Sequence, residues 1–84
     1  MNKELQFPVV YDLRVIYSGS ATDGLERISK LLKDLSIDSR NGVEKDGGKG
    51  QLVRLNFNIT ILNKEQMNTL YSNLKVIPEI KWAT

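Results

Sequence analysis

The chain has 84 residues, 40% hydrophobic and 26% charged, with a net charge of +2. That length holds one domain with a modest core. The composition excludes a disordered chain, and the small net charge argues against a strongly basic nucleic-acid binder. With no cysteine and no histidine, the chain lacks Cys and His nucleophiles, thiolate and imidazole metal ligation, and disulfides.

No apolar run approaches the roughly 20 residues of a membrane helix. Met1–Leu5 carries Glu4 and no apolar stretch of the kind a secretion signal needs. The expected compartment is the cytoplasm. Residues 1–8 read as a short polar lead ending at Pro8.

Val9, Tyr11, Leu13, Val15 and Tyr17 alternate with residues that include Asp12 and Arg14, which predicts a half-buried strand. Ser18-Gly19-Ser20 breaks the pattern, and Ser20 or Thr22 is placed to cap a helix. Leu25, Ile28, Leu32 and Leu35 then form one apolar stripe. Asp23 and Glu26 fall in the first turn, where the helix dipole favours anions, while Lys30 and Lys33 come later.

A sparser strand is predicted from Ser36 to Asp46, with Gly42 marking a bulge or bend. Gly47-Gly48-Lys49-Gly50 supplies a hairpin loop. In the next strand Val53, Leu55, Phe57, Ile59 and Ile61 face one way and Arg54, Asn56, Asn58 and Thr60 the other. Asn63 with Gln66 resembles a capping box, followed by the stripe Met67, Leu70, Tyr71, Leu74. A last strand is predicted over 76–83, with Pro78 and a partly buried edge tryptophan, Trp82.

This β-α-β-β-α-β order predicts an α+β, ferredoxin-like sandwich comprising residues 1–84. Two helices cover one face of a four-stranded antiparallel sheet of order 4-1-3-2. The clean alternation of the first and third strands suits the centre, and the polar second strand and Pro78 suit the edges. Leu13, Val15, Leu55, Phe57 and Ile59 should meet Leu25, Ile28, Leu32, Met67, Leu70 and Leu74 in the core.

Several segments resemble a known family. Phe7-Pro8 before Tyr11, the Gly48-Lys49-Gly50 hairpin, and Asn58-Ile59-Thr60 leading to Glu65-Gln66 and Thr69-Leu70-Tyr71 are similar to the YbeD-like proteins of bacteria, often labelled lipoate regulatory proteins. The likeness extends over nearly the whole chain and is strongest from Lys49 onward. It implies a fold similar to the ACT regulatory domains, which bind small molecules between paired subunits, and it carries over no catalytic residues. Asp23-Gly24-Leu25 with Ile28, Leu32, Leu35 and Ile37 also resembles the ACT pattern, without the proline usual between its acid and glycine.

Two candidate sites follow. The open sheet face, with Arg14, Ile16, Arg54, Asn56 and Asn58, is expected to meet a protein partner or a second copy; its bland alternative is a solvated face. Without exposed aromatics on the central strands, nucleic acid is not expected there. The loop Ser18, Gly19, Ser20, Thr22 and Asp23 opens a helix N-terminus and could hold an anionic metabolite across a dimer; its bland alternative is a helix cap. Asp12, Asp38, Glu44 and Asp46 match no metal-ligand spacing. The expectation is a non-enzymatic regulatory domain acting by protein contact, with an ACT-like metabolite sensor as the alternative, and with no metal or cofactor.

Overall fold

The alternation along the two long strands decides the architecture. The computed structural model describes residues 7–45 and 50–84. Its elements are β1 (Val9–Ser18), α1 (Ala21–Asp34), β2 (Asp38–Lys45), β3 (Leu52–Ile61), α2 (Lys64–Lys75) and β4 (Ile80–Ala83). They form a ferredoxin-like α+β sandwich with sheet order β2-β3-β1-β4 and every neighbouring pair antiparallel, as the alternation predicts.

β1 and β3 pair along their full length, with Leu13 opposite Phe57, Val15 opposite Leu55 and Tyr11 opposite Ile59. Side chains on a strand alternate faces, so this register puts one apolar set under the helices. Leu13, Val15, Tyr17, Leu55, Phe57, Ile59 and Ile61 are buried there with Ile28 and Leu32 of α1 and Leu70 and Leu74 of α2. α1 lies over β2 and β3, and α2 over β3 and β4. Leu25 and Met67, expected in the core, are half-buried at its margin.

The helices start where the sequence places their caps. Ser20 accepts from the Asp23 amide at 3.0 Å. Asn63 accepts from the Gln66 amide at 2.8 Å, and the Gln66 side chain reaches back to accept from the Leu62 amide at 2.7 Å. This pairing satisfies the Gln66 amide, which the first helical turn leaves free, and the Leu62 amide just ahead of the cap.

The edge strands begin later than their composition predicts. β2 starts at Asp38 rather than Ser36 because the helix closes through those residues. Ser36 takes a left-handed φ of 59°, its amide bonds to the Lys33 carbonyl at 3.0 Å, and the Ile37 amide bonds to the Leu32 carbonyl at 2.8 Å. That is a Schellman closure with serine at the position glycine favours. β4 starts at Ile80 rather than Val76, because 76–79 form a turn in which the Ile77 amide bonds to Leu74 and the Ile80 amide to Ile77. Pro78 lies in that turn, outside the sheet. The β-branched residues Val76 and Ile77 suggest strand, but the hydrogen bonds that continue from α2 prevail. Most of the expected lead (1–6) and of the expected hairpin, together with Asp46, falls outside the described residues.

Both edges carry bulges. Between Arg40 and Val43 the β2–β3 register shifts, so that 41–42 oppose Phe57. A Cβ on Gly42 would stand 2.6 Å from the Phe57 ring, so glycine lets the backbone cross it. Between Ile16 and Tyr17 the β1–β4 register shifts as well, with Trp82 opposite Ile16 and Ile80 opposite Tyr17.

Two substitutions should move stability in opposite directions. Ser36→Gly relieves the left-handed serine and should raise the unfolding free energy by about 0.5–1 kcal/mol. In Gly24→Ala the new Cβ would meet Leu55 Cδ1 at 2.7 Å and the Tyr17 ring at 2.8 Å. Helix propensity favours alanine by about 1 kcal/mol, but overpacking a closed core costs about 1–3 kcal/mol, so the net change should be a loss. Urea-unfolding midpoints measure both; a stabilised Gly24→Ala would mean that the Tyr17 ring yields freely.

Candidate functional site

The register that builds the core also assembles the opposite sheet face. Arg14 stands opposite Asn56 and Asp12 opposite Asn58, while Ile16 pairs with Arg54. From β2, Arg40 lies beside Asn58, Val43 beside Asn56 and Lys45 beside Arg54. From β4, Trp82 lies beside Ile16. The face therefore gathers Arg14, Arg40, Arg54 and Lys45 around three apolar side chains: half-buried Ile16, and Val43 and Trp82 at 39% and 54% exposure. Asp12 shares the cross-strand row of Asn58 and Arg40, with Asn58 donating to its carboxylate at 3.0 Å, and Asp38 lies one row beyond.

Among the described residues the one ion pair, Arg27–Glu79 at 2.7 Å, lies away from this face. The face cations thus have no carboxylate partner among those residues. Asn56 Oδ1 is shielded from solvent and accepts no hydrogen bond. An unsatisfied buried acceptor costs about 1–3 kcal/mol.

The five open-face residues singled out from the sequence all lie on this face. Alternation did not place Val43, Lys45 and Trp82 with them, because the two bulges reset the parity of the edge strands. Trp82, expected to be partly buried, is mostly exposed for that reason.

The loop residues Ser18, Gly19, Ser20, Thr22 and Asp23 join β1 to α1, and their polar groups are largely bonded within the fold. The Ser18 amide donates to the Glu79 carbonyl at 2.7 Å and the Gly19 amide to the Gln51 carbonyl at 3.1 Å. Ser20 caps α1, and the Asp23 carboxylate accepts from the buried Tyr17 hydroxyl at 2.5 Å. Thr22 is exposed.

Arg27 extends this chain of bonds. Its guanidinium donates to the Tyr17 hydroxyl at 3.2 Å and to Glu79 at 2.7 Å, tying α1 to the turn before β4. Burial, then the bond to Asp23, raises the Tyr17 pKa above its ordinary value. The hydrogen bond from its own main-chain N–H, then the Arg27 guanidinium, lowers that of Glu79. Asp23 and Arg27, four apart on one helix, were a visible hint in the sequence; Glu79, 52 residues from Arg27, was not. A second tyrosine bond, Tyr11 to Tyr71 at 2.5 Å, joins β1 to α2. Burial, then this bond, raises the Tyr71 pKa.

No three acidic residues among those described converge as a metal site, and no helix of the described residues is long and apolar enough to cross a membrane.

Comparison with known proteins agrees with the resemblance read from the sequence. The model of the family described as "Protein of unknown function (DUF493)" matches residues 2–84. A UPF0250 protein of Shewanella halifaxensis is 28% identical over 78 residues, 92% of this chain and 86% of that protein. The solution structure of protein HP0495 from H. pylori superposes with a TM-score of 0.70 at 14% identity, covering 99% of this chain and 88% of that one. The C-terminal domain of the MgtC protein from Mycobacterium tuberculosis gives 0.70 at 14% identity, covering 96% and 89%. At that identity the two structures bear on the fold alone.

The depressed Glu79 carboxylate, held by its own main-chain N–H and then by Arg27, sets a pH dependence. A carboxylate depressed in the folded state stabilises the fold above its unfolded pKa, near 4.5 for Glu79, and that contribution is lost as the pH falls through the folded value. Unfolding midpoints taken from about pH 7 to about pH 3 should therefore fall on the acid side. Glu79→Gln should flatten part of that fall; an unchanged slope would show that the Glu79 carboxylate adds nothing to stability.

Proposed function

We propose that this chain, which belongs to the DUF493 family, is a non-enzymatic regulatory domain that acts by protein contact through its open sheet face. The observation that carries this reading is the gathering of Arg14, Arg40, Arg54 and Lys45 around Ile16, Val43 and Trp82 on one face. Protein interfaces favour such surfaces: aromatic and arginine side chains anchor them, and apolar contacts at the centre exclude water. The complementary partner presents carboxylates around an apolar centre, with steering that weakens as salt screens it.

Asn56 supports the same reading. It sits mid-face between Arg14 and Val43, with a shielded acceptor that costs stability. Residues that oppose stability concentrate where a surface has another task. A protein is a better fit than a nucleic acid, because base stacking needs a platform of aromatics on the central strands, and those positions hold Arg14 and Asn56. The metabolite-sensing alternative at Ser18–Asp23 is less favoured, since the polar groups of that loop are largely bonded to one another and to Tyr17, Gln51 and Glu79. Catalysis is not part of the reading, because the chain has no histidine or cysteine to act as base or nucleophile.

A benzophenone amino acid at Val43, with one at exposed Lys30 on α1 as control, tests the surface in native lysate. The expected result is one discrete protein adduct from position 43 only. It should survive nuclease, weaken with added salt and be lost in Arg14→Ala/Arg54→Ala. An adduct removed by nuclease would replace the protein with a nucleic acid. Equal labelling from both positions, or no adduct from a chain that sediments as a monomer, would overturn the proposal.

A further inference from the structure

A second surface lies at the β4 edge of the sheet, adjoining the open face at Trp82. Between α2 and β4 runs a groove of about 270 Å³, lined on the helix side by Tyr71, Leu74 and Lys75 and on the strand side by Ile80, Lys81 and Ala83, with Trp82 at its border. That is smaller than the roughly 300–1,000 Å³ of typical small-molecule pockets. It suits a few side chains of a peptide better than an enclosed ligand.

The strand beside it is an edge of the sheet that the described residues form. Among the described residues β4 pairs with β1 alone. Arg14 and Thr84 exchange both main-chain hydrogen bonds at 2.9 Å, and Ala83 stands next in register, opposite Val15. In an antiparallel ladder the residue beside a mutually bonded pair turns its N–H and C=O the other way. Ala83 therefore presents both groups outward, next to the groove. An extended chain can satisfy such groups by adding as a strand and lodging alternate side chains in the adjoining groove.

Charge selects the occupant. Lys75 and Lys81 both line the groove, and among the described residues no carboxylate does. A second copy of this edge would bring two sets of lysines together, which is how natural edges discourage self-pairing. An acidic segment would meet both lysines instead.

We propose that the α2–β4 groove binds an extended acidic peptide segment of another protein. The segment adds as a strand to β4, lays apolar side chains on Leu74, Ile80 and Ala83, and sets carboxylates against Lys75 and Lys81. This site is independent of the open-face reading.

The test selects a random linear peptide display library on the whole chain, with Lys75→Glu/Lys81→Glu as counter-selection. Both lysines are exposed, and circular dichroism checks that the double variant keeps its fold. Enriched peptides should carry both acidic and apolar residues at every second position, the ones that face the groove, shift the emission of the single tryptophan, Trp82, and protect the Ala83 amide from hydrogen exchange. The charge-reversed variant, and N-methylation of alternate peptide amides, should each weaken binding at least tenfold, about 1.4 kcal/mol. Arg14→Ala/Arg54→Ala should leave it unchanged, which separates this site from the open face. The proposal is overturned by an absence of enrichment, by peptides that bind the variant equally or tolerate N-methylation, or by self-association of the chain through this edge.

Discussion

The pairing of β1 with β3 is the constraint on which the rest depends. Ten residue pairs hold the two strands in one register, from Val9 opposite Ile61 to Ser18 opposite Leu52. A slip of one residue would carry Leu13, Val15 and Tyr17 to the solvent side and bring Asp12, Arg14 and Ile16 under the helices. Burying Arg14 and Asp12 unpaired would cost far more than the sheet could recover. The register that forms the core therefore also fixes the composition of the open face, so Arg14 and Arg54 are neighbours of Asn56 for the same reason that Val15 meets Leu55.

The two edges adapt this frame differently. On β2 the extra residue near Gly42 lets the strand pass over the Phe57 ring and returns Val43 and Lys45 to the face that already carries Arg40. On β4 the shift keeps Ile80 and Ala83 against the core while Trp82 turns to the open face beside Ile16. Bulges are places where a sheet re-aims side chains, and here they add a cation, a valine and the tryptophan to the same surface.

Polar contacts tie the helices to the sheet at two places. Tyr17, Asp23, Arg27 and Glu79 link β1, α1 and the turn before β4, and Tyr11 and Tyr71 link β1 to α2. These bonds engage the loop before α1 from within, so the fold consumes groups that read in the sequence as an anion site. Two solved structures that share only 14% identity with this chain nevertheless adopt its fold. Alternation and helical stripes can be kept by many residue choices, and surface chemistry need not follow them.

The element order, the central strands, both helix caps and the side of the sheet on which Arg14, Ile16, Arg54, Asn56 and Asn58 lie were determined by the sequence itself. Each follows from a local rule: period two in a strand, period 3.6 in a helix, and a side chain that bonds an amide three residues on. The starts of β2 and β4, the placing of Val43, Lys45 and Trp82, the bond from Arg27 to Glu79 and the α2–β4 groove were decided only by the tertiary structure. Ser36 closes a helix where composition suggests a strand, and one unpaired residue in an edge strand reverses every facing beyond it. These outcomes depend on which segments come to lie side by side, and spacing along the chain does not encode that.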